Sequence, residues 1–478
     1  MSNSVQDKRV ELIAGSPNLT HRDWLLFVIG YPGWQITSAM VSSIGIYFYL
    51  PPDGAGLPTL VSEEIFLGVL TAYGLARIIG GIVDSLADPL VGHYSDSSTS
   101  KWGRRRIFLI AGIVPMVGCP ALLFFPPGEP GSTDIFVYLT VVLALYYIFF
   151  TVYVAPWHAL IPEIARTEAE RVRLSRLRAM VGGPMIMAYG ILWLAGVGAL
   201  KDAGYDATTA VQIVVIISCV FSFIACMAPI IAIDDSRFPI VRSTMKMSEA
   251  LKTTLKNRPF MIYLGAQIVF ILGISMTGPA VPYIVRVLLG RDEGFAATLS
   301  LAMLPGIILG FVFVHLVVNR IGARNTVIVS ILLLGVSMFP YGLLSPHAPG
   351  APGDLLNLTV VVISTVIKGL SIAGFMILPT VLMGQLIDLD EAETGANRAA
   401  MYYGVQGLFT KWVYAASAAI LSFLLSGYGR SVEEPLGVQL IGPVAGVFCL
   451  IGAALYLLYP EREVRERAGQ PFQPMSAR

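Results

Sequence analysis

The sequence predicts an all-α membrane protein whose twelve transmembrane helices form two six-helix bundles. Three observations predict it. First, 55% of the 478 residues are hydrophobic and only 13% are charged, against about 25% charged in an average soluble domain; mean hydropathy is +0.72. Second, the apolar residues come in long runs, many beyond the ~18 residues that mark a membrane-spanning helix. The alternating ten-residue segments of a membrane β-barrel do not occur. Third, one long polar and basic stretch follows the sixth run and divides the chain into two sets of six.

The expected spans follow in order. The first, 24–50, comes after 22 polar residues that lack a cleavable apolar segment, so it doubles as the targeting signal. The second, 64–95, is apolar from Ile65 to Val83 and then meets two acids. The third, 107–126, begins after the basic turn SKWGRRR (100–106), and the fourth to sixth are 134–162, 177–200 and 210–233. After the connection 234–260 come the seventh, 261–288, and the eighth, 295–318. A second basic turn, VNRIGARN (318–325), leads into the ninth, 325–345, followed by 356–387, 398–426 and 436–459. Spans longer than ~20 residues imply tilt or extension beyond the bilayer. The expected domains are therefore 1–233, a cytoplasmic connection 234–260, and 261–478 with a cytoplasmic tail. Basic turns at matching places in both halves are a weak internal symmetry of the kind two-bundle transporters show.

Composition excludes several functions. A net charge of +1 provides no field to recruit nucleic acid. The four cysteines lie inside apolar runs without CxxC or Cys/His spacing, which predicts packing and no disulfide or metal site. No nucleophile–base set or phosphate loop is visible, so neither an enzyme nor an ATP-driven pump is expected, and no cofactor beyond a coupling ion. Twenty-five of the 32 Lys and Arg fall at the termini and even-to-odd connections, and four on the opposite side. The positive-inside rule then places both termini in the cytoplasm of a multi-pass cell-membrane protein.

The three remaining cations, Arg77, Lys368 and Lys411, lie within spans, as do Asp84 and Asp88. At 100° per residue, Arg77, Asp84 and Asp88 fall within about 20° of one line. A charged stripe facing lipid would cost several kcal/mol, so this one faces protein or water. Two close carboxylates can share a proton, because ionising both sets like charges together, and they can offer oxygens to a hard cation. A static interhelical network with Arg77 and Lys411 is the competing reading. Lys368 either pairs with an acid or faces a water-filled vestibule. Trp34, Tyr153, Trp157 and Tyr402 are candidate platforms for an apolar sugar face.

With DPLVGHYSDSSTSKWGRRR (88–106), APWHALIPEIARTEAERVRLSRLRA (155–179), LKNRPF (255–260) and LIDLDEAETGANRAAMYYGVQGLFTKW (386–412), the chain resembles the major facilitator superfamily. More narrowly, it resembles the glycoside–pentoside–hexuronide:cation symporters. The resemblance covers nearly the whole chain. It implies a cation site at Asp84, Asp88, Thr151 and Lys411, the lysine being set after Gln406. It implies substrate binding at Arg178, and a conformational turn at Asp96, Gly103, Arg104 and Arg105.

Two departures bear on the substrate. Galactoside-binding members carry acids where this chain has Gln35 and Val154, so another glycoside is expected, with Gln35, Trp34, Tyr153, Trp157, Arg178 and Gln406 around it. Ala87 stands where sodium-using relatives carry an Asn, which favours H⁺ over Na⁺. The expected function is a monomeric cation-coupled symporter of a small solute, a glycoside, working by alternating access. The alternatives are a lysolipid or other amphiphile carrier, or a non-transporting receptor or assembly protein of the same fold.

Overall fold

The computed structural model describes residues 19–66, 70–165, 168–235, 254–394 and 398–468. Most of the expected 234–260 connection, residues 236–253, lies outside them. The chain is helical almost throughout: α1 His21–Ala39, α2 Ala72–Ser97, α3 Arg106–Leu123, α4 Thr133–Ile164, α5 Glu168–Asp202, α6 Ala207–Ala232, α7 Arg258–Thr277, α8 Glu293–Leu301, α9 Met303–Met338, α10 Asp354–Thr394, α11 Ala399–Gly427, α12 Leu436–Leu457 and α13 Glu461–Arg467. Among the described residues, ten helices are long and apolar enough to cross a membrane. The first two expected spans are also helical, as α1 with its continuation and as α2.

Local chemistry sets several boundaries. Thr20 and Asp23 form a reciprocal capping box that starts α1. A π turn at Met40–Ile44 then passes the chain into Gly45–Tyr49. The second helix starts later than the expected residue 64. Ile65–Phe66 and Leu70–Thr71 pair as a small antiparallel ladder, so α2 opens only at Ala72. In α9 the eighth and ninth expected spans meet at Gly322, whose φ of 84° breaks the helix and suits glycine.

Packing divides the chain into two compact units. The first contains Met1–Tyr49, Thr59–Val61 and Ile79–Thr244, and the second Leu50–Pro58, Ser62–Ile78 and Met245–Arg478. Residues 50–58 and 62–78 thus pack with the later part of the chain, whereas the sequence groups them within 1–233. Side chains explain why. Arg430, buried, donates from Nε to the Pro51 carbonyl (2.7 Å) and pairs with Glu63 (2.5 Å). Tyr283 donates to the Leu50 carbonyl (2.5 Å), and the hydroxyls of Thr71 and Ser422 bond one another.

In the first unit, α1 packs on α6 through glycines. A Cβ at Gly30 would sit 2.3 Å from Pro229 Cγ, and one at Gly33 would sit 2.8 Å from Cys226 Sγ. Those two positions commit one face of α1 to α6 and leave Tyr31 and Gln35 on other faces.

Candidate cation and substrate sites

The paired acids of α2 meet a hydroxyl from α4. Thr151 Oγ1 lies 2.8 Å from Asp84 Oδ1 and 3.3 Å from Asp88 Oδ1, so the two carboxyl oxygens are at most about 6 Å apart, close enough to couple their ionisation. Asp84 and Thr151 are 3% and 1% exposed, and Asp88 is partly exposed. The hydroxyl has one hydrogen to donate and two carboxylates to receive it. Spacing brought the acids to one face, and the structure adds Thr151. Arg77 is buried on the same helix, within the Ser62–Ile78 stretch of the second unit. Lys411 and Gln406 lie partly buried on α11 of that unit, the Gln406 carbonyl accepting from Thr410 (2.8 Å).

A second cluster joins α1, α4 and α5. Trp157 stacks on Phe27 (centroids 4.9 Å apart, planes within 6°) and meets Trp34 edge-on at 5.9 Å. The Arg178 guanidinium carbon lies 4.8 Å from the Tyr31 ring centroid and 5.4 Å from that of Trp157, within cation–π range. Gln35 donates to the Tyr31 hydroxyl (3.3 Å), and His158 packs on Trp34 at 5.6 Å. Gly182 makes room for this: a Cβ there would meet the Tyr31 ring at 2.2 Å.

The cluster contains Trp34, Gln35, Trp157 and Arg178, and three residues expected as open platforms prove to be fully buried. Trp157 is fully buried, so it is the floor beneath Arg178 and no open platform. Tyr153 is fully buried too and donates to the Cys226 carbonyl (2.7 Å), which spends its ring and hydroxyl on packing against α6. Tyr402 is likewise buried, its hydroxyl accepting from Asn257 (2.8 Å). The groups with open surface are Tyr31, Gln35, His158 and Arg178. Sequence reasoning missed Tyr31. The glycines flanking it in GYPG mark the packed face of α1, and Tyr31 lies off that face.

The basic turn between α2 and α3 is closed by acids. Arg105 pairs with Asp96 (2.7 Å) and Glu163 (3.2 Å) and donates to Ser95 Oγ (2.8 Å), while Arg104 also pairs with Glu163. Its backbone is capped as well: the Arg105 amide donates to Asp235 Oδ2 at 2.5 Å. Gly103 adopts φ 101°, and a Cβ there would fall 1.8 Å from Asp235 Oδ1. Asp96, Gly103, Arg104 and Arg105 are thus brought together, with Glu163 and Asp235 as partners the sequence did not single out.

Residues 62–460 match the family described as MFS/sugar transport protein. The chain belongs to the glycoside–pentoside–hexuronide:cation symporters of the major facilitator superfamily. This symporter-family chain is 24% identical to the glucuronide carrier protein homolog of Escherichia coli (strain K12), over 91% of this chain and 92% of that one. It is 21% identical to the isoprimeverose transporter of Lactiplantibacillus pentosus, over 86% and 81%. In fold it is similar to the nucleoside transporter NupG (TM-score 0.61, 12% identity, 92% of this chain and 99% of that one). It is a multi-pass membrane protein and a secondary transporter, not an enzyme, and its family handles small molecules with a coupling ion.

Proposed function

We propose that this symporter couples the entry of a cation, H⁺ rather than Na⁺, to the movement of a small glycoside by alternating access of its two six-helix halves. The observation that carries the reading is Thr151 donating towards both Asp84 and Asp88. With both carboxylates ionised, like charges face each other in a shielded place, and one added proton removes the repulsion. Asp84, Asp88 and Thr151 bring two carboxylates and one hydroxyl to that point. Ala87 adds no amide oxygen to them, and a proton needs fewer ligands than a sodium ion, which favours the proton.

On this reading the aromatic cluster receives the solute. The Tyr31 ring and the Arg178 guanidinium offer a flat face and donors, with Gln35 and His158 beside them. The names of the two relatives, a glucuronide carrier homolog and an isoprimeverose transporter, both refer to glycosides, which supports the class. The proposal includes a monomer in the cell membrane with both termini cytoplasmic, no cofactor other than the coupling ion, no nucleic-acid partner, and Lys411 as the internal counter-charge.

The test is uptake by proteoliposomes with a pH or sodium gradient imposed separately. Wild type should accumulate glycoside under the pH gradient. Asp84→Asn and Asp88→Asn should each lower gradient-driven accumulation at least about tenfold while leaving counterflow exchange measurable. Concentrative uptake surviving in both variants would overturn the coupling role. A response to sodium alone would overturn the choice of ion, and competition by a lysolipid in place of sugars would transfer the reading to amphiphiles.

A further inference from the structure

Lys368 lies in the first half of α10, a 41-residue helix, and is only partly exposed. Among the described residues it makes no hydrogen bond or ion pair. The sequence explains why no acid answers it within the second unit. On its own helix the nearest carboxylates are Asp354 and Asp388, about 20 and 30 Å away along the axis. α9, α7 and α12 carry no Asp or Glu at all, and those of α8 and α13 lie at the helix ends: Glu293 opens α8, and Glu461, Glu463 and Glu466 belong to the short α13.

The direction of the side chain follows from the packing of α10. A Cβ at Gly306 would lie 2.0 Å from the Val366 carbonyl, and one at Gly369 would lie 2.3 Å from that of Met303, so the face holding Val366, Gly369 and Leu370 is pressed against α9. Lys368 is roughly opposite, in one 60° sector with Ser364, Ser371 and Phe375. Phe375 packs on Phe270 of α7 with centroids 4.5 Å apart. Ser364 is satisfied, donating to the Ser337 carbonyl at 2.7 Å. Ser371 is not: it is 2% exposed and its hydroxyl has no partner among the described residues.

An ammonium and a buried hydroxyl, one helical turn apart and both short of an acceptor, are costly unless an acceptor arrives. We infer that Lys368 and Ser371 form a subsite for an oxyanion, a carboxylate or phosphate borne by the transported solute. This rests on the transport reading and narrows it: the solute is anionic. Three ammonium hydrogens and one hydroxyl hydrogen provide four donors and no acceptor-only group, which matches an oxyanion and disfavours a neutral hydroxymethyl.

The experiment measures thermal-shift binding and proteoliposome uptake with matched probes: methyl β-D-glucuronide, glucose 6-phosphate and neutral methyl β-D-glucoside. Wild type should bind a charged member at least about tenfold more tightly than the glucoside. Lys368→Met should remove that preference and Lys368→Arg retain part of it, with the carboxylate and phosphate arms identifying the group. Without ligand, Lys368→Met should unfold no earlier than wild type, since no native partner is lost. Equal binding of charged and neutral probes, binding of neither charged probe, an unchanged preference in Lys368→Met, or an earlier unfolding of that variant would each overturn the subsite. If the neutral glucoside is accumulated under the pH gradient by wild type and Lys368→Met alike, the transport reading stands and the subsite falls. If no solute is accumulated under either gradient, the transport reading falls.

Discussion

The two halves contain one backbone device twice, with different side chains around it. In the first unit Gly103, at φ 101°, precedes Arg105, whose amide donates to Asp235 just past the end of α6. In the second, Gly322, at φ 84°, precedes Arg324, whose amide donates to Glu461 (3.2 Å) just past the end of α12. Around the first turn, Arg104 and Arg105 are held by Glu163, Asp96 and Ser95. Around the second, among the described residues, the Arg324 side chain reaches neutral oxygens: Asn325 Oδ1 at 3.1 and 3.2 Å and the Tyr459 carbonyl at 3.1 Å. The backbone cap positions a helix start in both halves. Among the described residues, a charged clamp surrounds the first turn and not the second, and its exposed member, Asp96, can be released at modest cost.

The largest test of the comparison is at the glycines. Gly103→Ala should cost about 2–4 kcal/mol, because left-handed backbone strain is joined by expulsion of the Asp235 cap. Gly322→Ala should cost about 1–3 kcal/mol, because φ 84° with ψ 171° is a backbone region essentially reserved for glycine. A fall in the thermal midpoint in detergent that is larger at Gly322 than at Gly103 would reverse this order.

A smaller effect separates the side chains. Glu163→Gln should destabilise by about 1–3 kcal/mol, since it removes the carboxylate that Arg104 and Arg105 share and leaves Arg105 paired with Asp96. Asn325→Ala in the second turn should cost under about 1 kcal/mol. Chemical unfolding of both variants measures the difference, and a larger loss at Asn325 would reverse the assignment of the clamp. The smallest effect belongs to Asp96→Asn. Its carboxylate is 63% exposed, so stability should change by less than about 1 kcal/mol, and any large loss of uptake in that variant would report on rearrangement during transport.

The pattern of what was legible follows the range of each interaction. Helices, the position of the second basic turn and the shared face of Asp84 and Asp88 depend on spacing within one segment, and they were read correctly from the chain. The caps at Asp235 and Glu461 join residues 130 and 137 positions from their partners, and no local signal announces such a pair. Tyr153 shows the same limit from the other side. Its type fits a sugar platform, but its direction is set by the Cys226 carbonyl on α6. Residues 50–58 and 62–78 pack with the later part of the chain, and adjacency in sequence does not reveal the pull of Arg430 and Tyr283.

The lone hydroxyl hydrogen of Thr151 has a consequence for the acid pair. The shorter bond goes to sheltered Asp84 and the longer to Asp88, which keeps some contact with its surroundings. One donor thus serves two acceptors on one helix face, and it can satisfy the outer acid fully only by turning away from the inner one. A valine in place of Thr151 would keep the shape of the side chain and remove that shared donor.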